Sequence, residues 1–152
     1  MKAGILLAIV GTFAALALIG CAATASTPSG QATQSKVKTV EVSDDDFNKQ
    51  KDIVKDITIA AGETFQVILS SNASTGFSWS ENATIGDAAV LQQVTHDYNE
   101  PNASGVVGAA GTEVWTFKSL HTGSTTVTNE YSRPWEGGEK GVWTFALNVT
   151  VK

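Results

Sequence analysis

Apolar and polar side chains alternate along most of the chain after residue 37, with the period of two that is typical of β-strands. The clearest run covers residues 143–151, where aromatic and aliphatic side chains alternate with small or polar ones. The same alternation places further apolar residues together on single faces of three other runs: Phe65, Val67 and Leu69; Trp115 and Phe117; Val127 and Tyr131. This pattern predicts strands that each turn one face toward a core.

Turn-forming residues separate these runs and set the fold class. Glycine, asparagine and proline are concentrated in the breaks between the apolar runs. About seven or eight short strands with such turns predict an all-β domain, an immunoglobulin-like β-sandwich over residues 37–152. The single cysteine of the chain lies before this domain, so no disulfide joins the sheets, and Trp79, Trp115 and Trp143 are expected to fill the space between them. The polar stretch 44–51 is expected to be irregular.

The amino-terminal segment is predicted to direct export. Lys2 precedes an apolar run at residues 5–19, which at about 15 residues is shorter than the roughly 20 that a spanning helix needs. The run ends in Leu18-Ile19-Gly20-Cys21, which predicts a signal peptide over residues 1–20. These four residues resemble the bacterial lipobox, which implies a lipid on Cys21. An ordinary signal peptide that ends near a cysteine is the alternative.

Residues 21–36 follow the predicted cleavage site and carry no large apolar side chain. Such a segment cannot bury enough surface to fold, so it is predicted to be a flexible linker. We therefore expect an exported protein, held by its lipid on the extracytoplasmic face of the cell envelope.

Charge and residue inventory argue against several classes of function. The formal net charge is -5, and without clustered Lys and Arg a nucleic-acid partner is not expected. Only His96 and His121 offer imidazole bases, and the sole cysteine lies at the processing site, so we expect no enzyme. No His or Cys pair has the spacing of a metal site. The acidic run 44–46 could bind Ca²⁺, but it lacks the glycine and distal Glu of a dedicated loop, so we expect no metal and no cofactor.

Three loops carry the candidate chemistry. The first loop (residues 72–79) and the second loop (residues 105–111) could each be an ordinary connection, because Asn and Gly suit plain turns and mobile linkers alike. The third loop (residues 133–138) differs, because it places Trp135 on a tip rich in Pro and Gly, where an exposed ring adds nothing to a core. Since Trp and Arg are enriched at binding hot spots, Arg133 and Trp135 predict an interaction role.

In this order, the three loops resemble the motifs of the chagasin family of cysteine peptidase inhibitors. Those motifs are an Asn-Pro-Thr-Thr-Gly loop followed by an aromatic residue and a Trp, then a Gly-x-x-Gly loop, then Arg-Pro-Trp. The matching residues here are Asn72, Ala73, Ser74, Thr75, Gly76 and Phe77 with Trp79; Gly108, Ala109, Ala110 and Gly111; and Arg133, Pro134, Trp135 and Glu136. The resemblance implies a monomeric domain that inhibits papain-like cysteine peptidases by filling their active-site cleft with the three loops.

The resemblance also implies roles for single residues. The first loop would enter the cleft, with the hydroxyls of Ser74 and Thr75 bonding to the partner, while Trp135 packs against the wall of the cleft and Arg133 donates hydrogen bonds. Ala73 stands where the family has Pro, so the first loop is expected to be less preorganised. The alternative is a surface-anchored immunoglobulin-like module that binds another envelope protein or a glycan through the same loops.

Overall fold

The computed structural model describes residues 37–101 and 108–152, which form an almost entirely β domain. Nine strands and one α-helix lie within these described residues. They are β1 (Lys38–Val42), α1 (Asp44–Lys49), β2 (Asp52–Ile59), β3 (Thr64–Ser71), β4 (Ser78–Trp79), β5 (Thr84–Ile85), β6 (Leu91–Asn99), β7 (Gly111–Ser119), β8 (Gly123–Ser132) and β9 (Trp143–Val151). The predicted signal peptide, the linker with Cys21, and residues 105–107 of the second loop lie outside the described residues.

The strands form two sheets, with the orders β1-β3-β7-β6 and β2-β9-β8-β4, and β5 also pairs with β8. β1 runs parallel to β3, and β2 runs parallel to β9. The remaining pairs are antiparallel. The prediction of an immunoglobulin-like β-sandwich is confirmed. β4 and β5 are only two residues long each, and they bring the count above the predicted seven or eight.

The core lies between the two sheets and follows the predicted alternation. On β9 the side chains of Phe145, Leu147, Val149 and Val151 are buried, while the intervening residues are half-buried or exposed. Trp79 and Trp115 are also buried between the sheets, and the half-buried Trp143 packs against the edge of the core. Tryptophan side chains therefore fill part of the space between the sheets.

The prediction that residues 44–51 are irregular is wrong, because α1 begins at Asp44. Ser43 caps this helix: its Oγ accepts a hydrogen bond from the backbone N of Asp46 (3.3 Å), and the Asp46 carboxylate accepts one from the backbone N of Ser43 (3.2 Å). The hydrogen bonds from Ser43 hold the pKa of Asp46 below its ordinary value. Phe47 is fully buried and fixes the helix to the core. The three acids thus form a first helical turn, where the helix dipole favours them.

The two ends of the sandwich differ in what they carry. We call the end where β3 and β8 finish and β7 and β9 begin the loop pole, because the three loops lie there. The opposite end, the far pole, holds the short turns at residues 60–63 and 120–122. β1 begins toward the far pole, since Lys38 is paired with Phe65. No helix in the described part of the chain is long and apolar enough to cross a membrane.

Candidate functional site

The first loop is ordered by its own side chains. Residues Ala73–Thr75 form one turn of 3₁₀ helix. The Asn72 Oδ1 accepts hydrogen bonds from the backbone N (3.2 Å) and the Oγ (2.6 Å) of Ser74, and the Thr75 Oγ1 donates to the Asn72 carbonyl (2.6 Å). Gly76 ends the turn with φ 78° and ψ 6°, a left-handed conformation that strongly favours glycine. Side-chain hydrogen bonds therefore order the first loop around Ala73, which stands where the family has Pro. The expectation that this replacement makes the loop less preorganised stays a prediction.

The same bonds change what the first loop can offer to a partner. The Ser74 and Thr75 hydroxyls both donate their protons to Asn72, within the loop. A hydroxyl has one proton to donate and two lone pairs. In this conformation the two side chains can therefore accept hydrogen bonds from a partner but cannot donate to it.

The third loop packs directly on the first. The Trp135 ring lies over Gly76, so close that a methyl group built on Gly76 would stand 2.8 Å from the Trp135 Cη2. The guanidinium carbon of Arg133 lies 4.5 Å from the centre of the Phe77 ring and 5.8 Å from that of Trp135. Both distances allow cation–π attraction. Arg133 thus joins the two loops, in addition to any hydrogen bonds that it donates to a partner.

A hydrogen bond from the Asn72 Nδ2 to the Gly108 carbonyl (2.9 Å) connects the first loop to the described part of the second. Gly111, which the sequence placed in this loop, is the first residue of β7. A methyl group on Gly111 would collide with the Asn99 carbonyl and lie 2.7 Å from the Tyr98 hydroxyl, so only glycine fits. Between the two glycines, Ala109 is half-buried and Ala110 is exposed.

Hydrogen bonds within the third loop hold its exposed tip. The Gly138 N donates to the Trp135 carbonyl (3.1 Å), and the Arg133 N donates to the Glu139 carbonyl (2.8 Å). The Lys140 ammonium donates to the carbonyls of Arg133 and Trp135. Trp135 itself is 51% exposed, as the sequence predicted, and its neighbours Pro134 and Glu136 are exposed beside it. Lys140 was missed in the sequence because its role depends on the path of the folded loop.

An aromatic cluster supports the loop pole from below, and its members are Phe47, Phe77, Trp79, Tyr131 and Trp143. Tyr131 is its centre, with ring centres 4.9 Å from Trp143, 5.1 Å from Trp79 and 5.5 Å from Phe77. The Tyr131 hydroxyl also accepts a hydrogen bond from the backbone N of Asn72 (2.8 Å). Because Phe77 and Trp79 belong to the first loop, while Tyr131 and Trp143 lie close to either side of the third, one rigid base carries both loops.

The candidate bases for enzyme chemistry have other partners. The Nε2 of His96 lies 2.8 Å from the carboxylate of Glu113, and its ring stacks on Trp115. His121, toward the far pole, lies with its Nδ1 2.8 Å from the Ala89 carbonyl. Neither imidazole is hydrogen-bonded to a hydroxyl in the described residues. No cluster of His, Cys, Asp or Glu in that part of the chain could hold a metal ion.

A β-sandwich that gathers three loops at one pole, with an exposed Trp between fixed neighbours, has the architecture expected of a protein-binding module. Residues 58–149 match the family model described as chagasin family peptidase inhibitor I42. The chain belongs to the chagasin family of peptidase inhibitors.

Two curated relatives show the extent of the similarity. Amoebiasin-2 of Entamoeba histolytica is 34% identical over 95 residues, which cover 62% of this chain and 75% of the relative. Chagasin of Trypanosoma cruzi is 33% identical over 82 residues, which cover 53% of this chain and 74% of the relative.

Solved structures share the fold. The crystal structure of the cysteine protease inhibitor EhICP2 from Entamoeba histolytica superimposes with a TM-score of 0.56 at 24% identity, over 77% of this chain and 98% of that one. The structure of PbICP-C in complex with falcipain-2 gives a TM-score of 0.53 at 14% identity, over 76% of this chain and 99% of that one.

Proposed function

We propose that this chain inhibits papain-like cysteine peptidases by filling the active-site cleft with its loop pole. Membership of the chagasin family supports a peptidase inhibitor, and the relative that is described in complex with falcipain-2 supports a partner of this class. The observation that carries the proposal is the packing of Trp135 on Gly76. It makes the Ser-Thr-Gly turn and the Arg-Pro-Trp tip parts of one surface.

The first loop would lie at the centre of the cleft, over the catalytic cysteine. A peptidase of this class cleaves a segment that it binds in an extended conformation, whereas residues Ala73–Thr75 form a 3₁₀ turn tied to Asn72. Opening that turn would break several hydrogen bonds at once. The loop would thus occupy the cleft without offering its peptide bonds for cleavage.

Trp135 would pack against the wall of the cleft and supply most of the binding energy from the third loop. Its ring already has a fixed position over Gly76, so little conformational entropy is lost on binding. Gly108 and the exposed Ala110 would contact the opposite wall. The interaction is a blockade, and we propose that the chain performs no catalysis and needs no cofactor.

We further propose that the protein is a monomer exported to the cell envelope and anchored there through a lipid on Cys21. Within the described residues, β1 begins toward the far pole. A linker that joins β1 there is attached at the end of the domain opposite the three loops, so it would not cover the loop pole. Intact mass of the protein from native membranes tests this idea, since Cys21 should be the modified amino terminus and Cys21→Ser should abolish the modification.

The central test is an inhibition assay with papain and the full chain in mild detergent. We expect competitive inhibition and a stable one-to-one complex, while chymotrypsin, a serine peptidase, should keep its activity. Full papain activity in the presence of micromolar folded protein would contradict the proposal.

A further inference from the structure

We propose that Glu113 is the positioning residue of the first loop. It joins the two chain segments that carry this loop, and it thereby controls inhibition without touching the peptidase. The inference rests on the proposed function, because it concerns the same loop.

Glu113 is a carboxylate inside the sandwich. It lies on β7, on the same inward face as Trp115 and Phe117, and only 3% of its surface is exposed. Burying a carboxylate among apolar groups is unfavourable unless hydrogen bonds replace the lost water. A buried acid at this position therefore needs a structural reason.

One carboxylate oxygen joins both ends of the first loop. The Oε1 of Glu113 accepts a hydrogen bond from the Ser71 hydroxyl (2.7 Å) and another from the backbone N of Trp79 (3.0 Å). Ser71 is the last residue of β3, and Trp79 is the last residue of β4. Everything between them is the loop that would enter the cleft. A single acceptor thus fixes the separation of the two segments that support it.

The other oxygen connects this junction to the edge of the sheet. The Oε2 of Glu113 lies 2.8 Å from the Nε2 of His96, which stacks on Trp115 with ring centres 4.7 Å apart. A carboxylate only accepts hydrogen bonds, so all three partners must donate. The position of the carboxylate is thereby fixed from three strands.

The far end of β7 supplies a matched control. Ser119 is fully buried on the same face of the same strand, and its hydroxyl lies 2.8 Å from the Ala60 carbonyl and 3.0 Å from the Glu63 carbonyl. Ser119 therefore supports a turn at the far pole much as Glu113 supports the first loop. Loss of either contact should destabilise the domain, but only loss of the Glu113 contacts should change inhibition.

The experiment compares Glu113→Leu, Glu113→Gln and Ser119→Ala in the full chain. Leu keeps the volume but accepts no hydrogen bond, so we expect the inhibition constant for papain, corrected for the folded fraction, to rise by about tenfold or more. Gln keeps an acceptor oxygen for Ser71 and Trp79, and it should restore most of the affinity. Ser119→Ala should lower the midpoint of thermal unfolding and leave the inhibition constant unchanged.

Amide hydrogen exchange, measured without any peptidase, separates this inference from the proposed function. In Glu113→Leu the amides of residues 74–76 should exchange faster by a similar factor, while in Ser119→Ala they should exchange as in the native chain. If Glu113→Leu does not fold, Ser71→Ala removes one of the contacts and should produce a smaller change in the same direction.

The inference would be overturned if Glu113→Leu showed the exchange rates and the inhibition constant of the native chain. If Glu113→Leu is unfolded, the same result in Ser71→Ala would overturn it. An equal loss of inhibition in Ser119→Ala would overturn it as well, because Glu113 would then act only through overall stability. If the native chain fails to inhibit papain, the proposed function falls, and the exchange rates still decide the role of Glu113.

Discussion

The two poles of the sandwich are stabilised in different ways. At the far pole the turns are short and closed by backbone hydrogen bonds, from the Ala61 N to the Lys152 carbonyl (3.0 Å) and from the Gly62 N to the Ser119 carbonyl (3.1 Å). At the loop pole the longer loops have backbone hydrogen bonds within each loop, and side chains add the connections between loops, above all Asn72 and Trp135. Loops that are not paired with a neighbouring strand need such contacts to keep one position relative to each other.

Two glycines show the same difference. Gly62 at the far pole has φ 82°, and a methyl group added there would meet nothing within 4 Å. Gly76 at the loop pole has φ 78°, but its missing side chain makes room for the ring of Trp135. Gly62 is needed only for the turn at the far pole, whereas Gly76 is needed both for its turn and for the contact between the first and third loops.

The largest expected effect concerns the tip of the third loop. Trp135→Ala should weaken papain inhibition by about 2–4 kcal/mol, which is roughly 30- to 1,000-fold, with little change in unfolding temperature. Val94→Ala is the control, because Val94 is similarly exposed (55%, against 51% for Trp135) but lies on β6, outside the three loops. Equal inhibition by the two variants would contradict a binding role for this pole.

Gly76→Ala and Gly62→Ala form a matched pair across the two poles. Each forces alanine into a left-handed conformation, which costs about 1–2 kcal/mol of folding stability. In Gly76→Ala the new methyl group must also displace Trp135, so inhibition should weaken by about 10- to 100-fold. Gly62→Ala should lower stability alone. A urea unfolding curve measures the stability of each variant, and titration of papain measures its affinity. A similar loss of affinity in both variants would refute the difference between the two glycines.

Asn129 is a buried polar residue that the difference between the two poles does not explain. Its side chain lies on the inward face of β8, and neither its amide nitrogen nor its amide oxygen has a hydrogen-bond partner among the described residues. Asn129→Leu should therefore raise the free energy of unfolding by about 1 kcal/mol, since it removes an unsatisfied polar group. Inhibition should stay unchanged. A lower unfolding midpoint in urea would show that the amide has a partner, such as a buried water.

The smallest expected effect tests preorganisation of the first loop. Asn72 has φ -118° and ψ 88°, outside the helical region that a following proline disfavours, so the conformation of Asn72 does not oppose Ala73→Pro. Fixing φ there should tighten inhibition by about 0.4–1 kcal/mol, roughly two- to fivefold. Ala73→Gly is the control at the same position, because it frees φ and should weaken inhibition instead. Unchanged inhibition by Ala73→Pro would show that the bonds from Asn72 already order the loop.

Much of the fold could be predicted from the sequence, because strands with one buried face leave a period-two pattern, as on β9. The helix α1 was missed, since six residues with one apolar side chain show no period, although Ser43 and Asp46 have the spacing of a helix capping box. The buried Glu113 left a signal that was missed: it shares the parity of Trp115 and Phe117, so it had to point into the core.

The order of the motifs in the sequence was enough to recognise the candidate site, but the contacts that hold its loops together could not be predicted. That the loops meet at one pole follows from strand topology, whereas the packing of Trp135 on Gly76 and the reach of Lys140 across the third loop depend on tertiary structure. The peptidase contacts of the individual loop residues and the lipid on Cys21 stay predictions.

The contact between Gly76 and Trp135 also bears on how such an inhibitor can evolve toward new targets. Because two loops share one contact, a change in either disturbs both, and selection must treat them as a single trait. Exposed positions such as Glu136 and Ala110 escape this constraint. We therefore expect divergence in target range to accumulate at those tips, while the joined centre changes slowly.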